Sequence, residues 1–387
     1  MNRYIFITIL SCAVFGTLSH AYAEVGVSDK KIIFGQTAAL DGPAAALGTG
    51  MNNGILAAFK EANDSGGING RMLELIAHDD GYEPDRAIAN TKKLIHEDKV
   101  FSLIGGVGTP TANAMQPITS EEKVPFIGPF TGAEFLRSPF KRYVVNVRGS
   151  YWQETEEWIE RLTTDLGITR IAILYQDDTY GRAGLSGVKR ALEKRGLSLV
   201  GEGTYKRNTT AVKSAVLSIR KSKPEAVVMV GAYKPCAEFI KVSKKLGFTP
   251  KFVNISFVGS DALSKELGEH GEGVIISQVV PFPFHKDSSP LVQHYQNAMA
   301  EYAPDRNTGF VSLEGYMVGR LVIEVLKNMS GEITRESFLD EIYTMKDITL
   351  NNIVLHYGAE DNQGMDQVFM TILQKDGTFL PVTKLEK

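Results

Sequence analysis

Few residue groups in this sequence have the types and spacing that catalysis requires. The 387-residue chain has no Gly-x-x-x-x-Gly-Lys-Ser/Thr phosphate loop, no His-Glu-x-x-His zinc motif, no Cys-x-x-Cys pair and no Gly-x-Ser-x-Gly nucleophile turn. The glycines of residues 48–54 come closest to a dinucleotide fingerprint, but their last spacing is one residue too long. Glycines that open a helix explain them more simply. We therefore expect no catalytic residue, no cofactor and no enzyme activity.

Two other groups of reactive side chains also have structural explanations. His78, Asp79 and Asp80 could form a metal or acid–base cluster, but an Asp-Asp pair between a strand and a Gly-Tyr turn is typical of turn and helix-cap chemistry. Cys236 falls where a helix should begin, which could lower the pKa of its thiol. No histidine is near Cys236 in sequence, so a buried, inactive thiol is the expected state. The sequence predicts no metal site.

Small and hydroxyl residues recur at the ends of predicted strands, just before helices. Four such turns occupy residues 105–109, 128–132, 177–180 and 231–233. In doubly wound sheets, ligands bind outside the carboxyl ends of the strands. Free backbone N–H groups at helix starts are good receptors for a carboxylate. A helix cap explains any one turn, but four of them, two from each half of the chain, predict a binding cleft between two lobes.

Alternating strand and helix patterns are expected to position these turns. Continuous apolar runs such as residues 100–105 and 226–231 alternate with helical patterns, which is typical of parallel sheets covered on both faces. Three more helical patterns follow, near residues 290–302, 310–329 and 334–344. Because helix pairs need a sheet to cover, the chain is predicted to return to its first lobe and then to end in the second. Its last two strands, near residues 353–357 and 367–374, are predicted to be antiparallel.

Length, charge and the amino terminus restrict the class of protein further. The 42 basic and 45 acidic side chains give a net charge of -3, so the chain lacks the excess of basic residues that is typical of proteins that bind nucleic acid. Residues 1–23 combine a single basic residue, a short apolar run and small residues ending at Ala23, as in a secretory signal peptide cleaved near Ala23. An uncleaved membrane anchor is the alternative, but the run is short for a bilayer. We expect the mature chain in the periplasm.

Several segments resemble the type I periplasmic solute-binding proteins of ABC transporters, the leucine/isoleucine/valine-binding group. They are residues 63–70, 79–80, 103–106, 180–181 and 313–316. The resemblance covers essentially the whole mature chain and implies an α/β fold, with two doubly wound lobes joined by a three-stranded hinge that close on a small ligand. The predicted segments are residues 1–23 for the signal peptide, 24–146 and 281–350 for lobe 1, and 147–280 and 351–387 for lobe 2.

The resemblance also implies a set of ligand contacts. The matching positions are Leu47, Thr109, Phe130, Gly132, Tyr180, Tyr233 and Ser256. Among them, Thr109 matches the hydroxyl residue that holds the ligand carboxylate. Tyr180 and Tyr233 match the second-lobe aromatic residues that fold over the ligand, and Leu47 matches a side-chain pocket position.

Two of these positions depart from the pattern of amino-acid binders. Ser256 stands where those proteins have an acidic residue that pairs with the ligand ammonium, and a serine cannot supply that countercharge. Gly132 lacks the hydroxyl side chain found at its position. A branched-chain amino acid is therefore disfavoured as ligand, unless Asp261 or Glu314 supplies the charge from elsewhere.

Taken together, these features predict a receptor for a small carboxylate-bearing solute, either an amino acid or a related organic acid. It would act as a monomer and deliver the solute to ABC permease and ATPase subunits in the inner membrane. Two other functions stay open. A sensory module would present the ligand to a receptor kinase, and neighbouring permease and ATPase genes would distinguish it from a transport protein. A secreted α/β hydrolase would need a Ser–His pair across the cleft.

Overall fold

Two α/β lobes make up the part of the chain that the computed structural model describes, which is residues 24–284, 289–306 and 308–386. The predicted signal peptide lies outside these described residues. The strands are β1 (Lys31–Ala38), β2 (Met72–Asp79), β3 (Ser102–Ile104), β4 (Phe126–Ile127), β5 (Val144–Val145), β6 (Ile171–Gln176), β7 (Gly201–Tyr205), β8 (Ala226–Val230), β9 (Lys251–Asn254), β10 (Ile275–Gln278), β11 (Asp347–Leu350), β12 (Ile353–His356), β13 (Phe369–Leu373) and β14 (Phe379–Val382). The helices are α1 (Ala45–Asp64), α2 (Pro84–His96), α3 (Thr109–Glu121), α4 (Tyr151–Glu160), α5 (Thr179–Glu193), α6 (Lys213–Lys221), α7 (Tyr233–Lys245), α8 (Ser260–Leu267), α9 (Pro290–Tyr302), α10 (Phe310–Asn328) and α11 (Arg335–Met345).

The first lobe is built on a five-stranded parallel sheet. Its strand order is β2-β1-β3-β4-β5, so the carboxyl ends of all five strands lie at one edge. Strands β3, β4 and β5 are buried at every position, as expected for a sheet covered on both faces. The turns after β3 and β4, which the sequence singled out, therefore lie side by side at that edge.

The second lobe is built on a seven-stranded sheet. Its order is β14-β13-β10-β9-β8-β6-β7, with parallel pairing from β7 through to β10 and antiparallel pairing of β13 with both β10 and β14. Strand β8 is buried at every position. The turns after β6, β8 and β9 lie at the carboxyl edge of the parallel part of this sheet.

The helices late in the chain pack on the first lobe. α9 and α10 both contact α1, and α10 lies along α1 with backbones in close approach at Gly54. A Cβ atom at Gly54 would lie 2.0 Å from the carbonyl oxygen of Ser312 on α10. The chain thus returns to the first lobe before β13 and β14 complete the second sheet. The residue boundaries of the two lobes stay a prediction.

The pairing of the last strands differs from the sequence prediction. The strands near residues 353–357 and 367–374 do not pair with each other. Instead β12 forms an antiparallel hairpin with β11, and β13 lies between β10 and β14. Strands β10, β11 and β14 were absent from the sequence prediction. The pairing of all these strands depends on contacts that local periodicity does not register.

No helix within the described ranges is both long and apolar enough to cross a lipid bilayer.

Candidate functional site

The two strand-end turns of the first lobe form one hydrogen-bonded unit. The backbone N–H of Phe130 donates to the carbonyl of Gly106 at 2.8 Å, and that of Gly108 donates to the carbonyl of Phe130 at 3.2 Å. Gly108 precedes α3 with a φ of 108°, and a Cβ atom there would lie 2.2 Å from the ring of Tyr82. Glycine is therefore required at this helix start.

Thr109 is the first residue of α3, and Gly108 occupies the cap position. The hydroxyl of Thr109 is 2.7 Å from that of Thr131 and 3.5 Å from the phenol oxygen of Tyr151. Three hydroxyl groups from two turns and the start of α4 thus meet at a buried point.

Gly132 is held tightly against Tyr151. Its carbonyl oxygen accepts a hydrogen bond from the backbone N–H of Tyr151 at 2.7 Å. A Cβ atom at Gly132 would lie 2.5 Å from the Tyr151 ring. The missing hydroxyl side chain at position 132 therefore has a physical reason, since the Tyr151 ring occupies the space that such a side chain would fill.

Buried aromatic rings from both lobes meet around Phe257, which lies in the short turn after β9. The Phe257 ring centroid is 5.2 Å from that of Phe130 and 6.0 Å from that of Tyr82, both in the first lobe. It is 4.6 Å from the centroid of Tyr180, which lies 5.7 Å from that of Tyr151. We call these five residues the aromatic cluster. All five are essentially inaccessible to solvent, and burial raises the pKa of the three tyrosines, which keeps their phenols neutral.

Charged side chains are buried next to the aromatic cluster. Arg148 donates through Nη2 to the Ser256 hydroxyl at 2.5 Å, and its Nε is 3.2 Å from a carboxylate oxygen of Glu314. Ser256 in turn donates to the Glu154 carboxylate through its hydroxyl at 2.8 Å and its backbone N–H at 2.9 Å. The Ser277 hydroxyl donates to Glu154 at 2.5 Å. We call Arg148, Glu154, Ser256, Ser277 and Glu314 the ionic cluster.

The ionic cluster explains the serine at position 256. Sequence comparison with amino-acid binders indicated a missing carboxylate there, and the structure shows the Glu154 carboxylate bound to Ser256 from α4. Glu314, one of the two acids considered as a replacement, also lies in this cluster. The other, Asp261, is bound at the start of α10, where its carboxylate accepts the backbone N–H of Phe310 at 3.2 Å.

Burial shapes the protonation of these charged groups. Burial lowers the pKa of Arg148, but the Glu314 and Glu154 carboxylates outweigh this effect and raise it above its ordinary value, so Arg148 is a permanent cation. Burial raises the pKa of Glu314 to about 7, although Arg148 opposes the shift. Glu314 can therefore change charge near neutral pH.

Leu47 and Tyr233 meet at a second contact between the lobes. The backbone N–H of Ala46 is 3.5 Å from the Tyr233 phenol oxygen. A Cβ atom on Gly259 would lie 2.5 Å from a methyl carbon of Leu47 and 3.9 Å from the ring of Tyr233. A cavity of about 280 Å³ opens beside Leu47 and Gly259.

The predicted contact residues therefore fall into two places. Thr109, Phe130, Gly132, Tyr180 and Ser256 belong to the aromatic and ionic clusters or contact them directly. Leu47 and Tyr233 lie at the other contact. Their roles in ligand binding stay a prediction.

This chain has relatives of the same architecture over nearly its whole length. A family model described as periplasmic binding protein matches residues 31–378. The chain belongs to this family. The crystal structure of a possible leucine/isoleucine/valine-binding protein from Rhodopirellula baltica is 38% identical, with a TM-score of 0.87 over 92% of this chain and 97% of that one.

Curated members of the periplasmic binding protein family give the same result at lower identity. The Leu/Ile/Val/Thr-binding protein of Salmonella typhimurium is 23% identical over 79% of this chain and 80% of its own. The Leu/Ile/Val-binding protein homolog 7 of Brucella abortus is 21% identical over 94% of this chain and 95% of its own. The family match confirms the predicted resemblance to periplasmic binding proteins, and the solved structures confirm the predicted fold class.

Arg148, Glu154 and Phe257 were not among the candidate residues taken from the sequence. Arg148 lies between β5 and α4, Glu154 on the first turns of α4, and Phe257 in the turn after β9. A signal was present for two of them. An arginine two residues before the Ser150 N-cap and a glutamate four residues after that cap are charges next to a predicted lobe crossing, yet only the packed lobes show that they are buried.

The other reactive groups considered in the sequence have structural roles. The Asp79 carboxylate accepts backbone N–H groups of Leu40, Asp41 and Gly81, so it holds a turn. Burial raises the pKa of the Cys236 thiol, which makes it an inert side chain. In the described part of the chain, no group of three or more histidine, cysteine, aspartate or glutamate side chains is placed to hold a metal ion.

Proposed function

We propose that this protein is the extracytoplasmic receptor of an ABC importer and binds a small carboxylate-bearing solute between its closing lobes. It passes the solute to permease and ATPase subunits in the inner membrane, acts as a monomer, and performs no chemistry on the ligand. Cleavage near Ala23 releases the mature chain into the periplasm. The names of the relatives support an amino acid or a related organic acid as the solute.

The observation that carries this proposal is the meeting of both lobes at one buried polar and aromatic site. Thr109, Thr131 and Tyr151 present hydroxyl groups there, and Arg148 presents a cation. Binding sites for small solutes typically combine an apolar, aromatic wall with a few polar groups in fixed positions. A ligand that contacts both lobes at once stabilises the closed arrangement over any open one.

A thermal-shift screen of amino acids and small organic acids tests the proposed function. A ligand present at one hundred times its Kd adds about 2.7 kcal/mol to the free energy of unfolding, which raises Tm by several degrees. We expect at least one carboxylate to do so and to change the small-angle scattering profile. If no compound of the panel changes the Tm or the scattering profile, the proposal is contradicted.

A matched pair of variants on α3 locates the ligand. Thr109→Val removes the hydroxyl at the cleft, and we expect it to weaken binding of the best ligand tenfold or more. Thr119→Val makes the same change at the far end of α3, where the hydroxyl donates to the carbonyl of Gln116, and it should leave the Kd unchanged. Equal effects of the two variants would place the ligand elsewhere.

A further inference from the structure

The guanidinium of Arg148 has fewer hydrogen bonds than a buried cation requires. Its side chain is 1% exposed. Nη2 has the Ser256 hydroxyl as acceptor, but neither Nη1 nor Nε has a hydrogen-bond partner among the described residues, although Nε is 3.2 Å from Glu314. A guanidinium carries five N–H donors in one plane. Unsatisfied buried donors on a charged group are unfavourable, so they mark a place where a further acceptor belongs.

The neighbouring carboxylates leave this donor free. Glu154 already accepts three hydrogen bonds from Ser256 and Ser277. Glu314 approaches Arg148 only on the Nε side. Burial raises the pKa of Glu314 to about 7, so Glu314 is partly protonated near neutral pH and an added anion meets less repulsion there.

The guanidinium of Arg148 also packs against an aromatic ring. Its Cζ lies 4.6 Å from the centroid of the Phe130 ring, in a cation–π arrangement. Phe257 occupies the space between Phe130 and Tyr180, at centroid distances of 5.2 and 4.6 Å. The Phe257 ring therefore fills a position one ring wide between two aromatic residues that lie in different lobes, and the incompletely bonded Arg148 packs on one of them. A cavity of about 360 Å³ reaches the cluster at Tyr82.

We propose that the solute is an aromatic carboxylate, whose ring takes the place of the Phe257 side chain between Phe130 and Tyr180 and whose carboxylate binds Arg148 through Nη1. This inference rests on the proposed function and names its ligand class. The ring gains the stacking that Phe257 now has. The carboxylate supplies the acceptor that Arg148 lacks.

An aliphatic α-amino acid fits these residues less well. Its ammonium needs a free carboxylate, whereas Glu154 is already occupied by three donors and Glu314 is paired with Arg148. Its aliphatic side chain would also give up the ring stacking that both walls offer. The residues at the site therefore favour a ligand with an acid group, a planar ring and no ammonium.

Matched ligands test this on the unmodified protein by isothermal titration. Benzoate carries both features, benzamide keeps the ring without the charge, and cyclohexanecarboxylate keeps the charge without the aromatic ring. We expect benzoate to bind at least tenfold more tightly than either analogue and than leucine. Equal binding of benzoate and benzamide, or of benzoate and cyclohexanecarboxylate, would overturn the inference.

Variants assign the two parts of the ligand to their residues. Arg148→Met should weaken benzoate binding at least tenfold, whereas Arg195→Met removes an arginine that pairs with Glu156 and Glu160 away from the cleft and should not change it. Arg148→Lys keeps the positive charge with fewer hydrogen-bond donors, so its affinity for benzoate should lie between those of the Arg148→Met and Arg195→Met variants. Should Arg148→Met not fold, the lysine variant and the ligand series on the unmodified protein decide the question.

The variant Phe257→Ala distinguishes a ligand ring that displaces the Phe257 ring from a ligand ring that packs against it. If the ligand ring replaces the Phe257 ring, benzoate binds the variant as tightly as the parent protein or more tightly. A tenfold loss would show that Phe257 is a wall of the site and would overturn its displacement.

The failure of this inference differs from the failure of the proposed function. Tight binding of leucine or another amino acid with no binding of benzoate or related aromatic acids would reject the aromatic carboxylate and keep the solute receptor. No binding of any member of either panel would reject both.

Discussion

At the scale of single residues, Ser256 shows that the residue type at one position does not reveal which charged side chains surround it. An acidic residue is missing at this position of the sequence, and the structure supplies the carboxylate of Glu154 from a different element. Arg148 then binds the other side of the same serine hydroxyl. Ser256 thus links a buried cation to a buried anion, a role that depends on the packing of three separate segments.

Replacing Ser256 should destabilise the protein measurably. Ser256→Ala removes the acceptor of Arg148 Nη2 and one donor of Glu154, so we expect the free energy of unfolding to fall by about 1–3 kcal/mol. Ser65→Ala is the control, because that exposed hydroxyl donates to the carbonyl of Glu61 within the same helix turn, and it should change stability by less than about 0.5 kcal/mol. Denaturant unfolding measures both. Similar values for the two variants would contradict the linking role of Ser256.

Glu314 should make stability depend on pH. Its pKa rises from 4.5 to about 7 on folding, mainly through burial, with Glu154 adding to the shift and Arg148 opposing it. The folded protein therefore binds a proton that the unfolded chain releases between about pH 5 and 7, and the free energy of unfolding falls as pH rises through that window.

The variant Glu314→Gln removes this contribution, so its free energy of unfolding should fall less steeply as pH rises. For one group the slope is at most about 1.4 kcal/mol per pH unit. Asp80 and Asp261, each with a pKa raised to about 6, keep their own contributions of the same sign in both proteins. Denaturant unfolding between pH 5 and 8 measures the difference. Parallel profiles for the parent protein and the variant would show that Glu314 is ionised throughout.

At the scale of elements, the sequence predicts those with a local pattern. The apolar run of β8 and the proline-started helix α9 are observed close to their expected bounds. Strand β10 was missed, although it is fully buried, because the apolar run of residues 274–276 is too short for its periodicity to indicate a strand. The pairing of β13 with β10 joins residues almost one hundred positions apart, which no local pattern encodes.

The contact between α1 and α10 depends on glycine. A Cβ atom at Gly54 would lie 2.0 Å from the Ser312 carbonyl oxygen and 2.5 Å from the backbone nitrogen of Tyr316. Gly54→Ala should therefore force the helices apart and destabilise the protein by about 1–3 kcal/mol or more. Gly358→Ala is the control, because its nearest neighbour would be at an ordinary 3.5 Å. Thermal unfolding of both variants measures the effect, and a Gly54→Ala protein as stable as its parent would contradict the close packing.

At the scale of the whole molecule, the order of segments along the chain could be predicted better than the site. Strand and helix patterns indicated two lobes and a late return to the first, and α9 and α10 do pack on α1. The four strand-end turns and their hydroxyl and aromatic residues also followed from the sequence. Arg148 and Phe257 did not, because the aromatic and ionic clusters exist only where the two lobes meet.

A crystal structure of the complex with the tightest-binding acid of the panel tests the central claim most directly, namely that a small carboxylate binds between the lobes. We expect its body between Phe130 and Tyr180 and its carboxylate within about 3 Å of Arg148 Nη1, at hydrogen-bond distance. A ligand bound on the outer surface of either lobe, with neither aromatic residue nor Arg148 in contact, would contradict the claim.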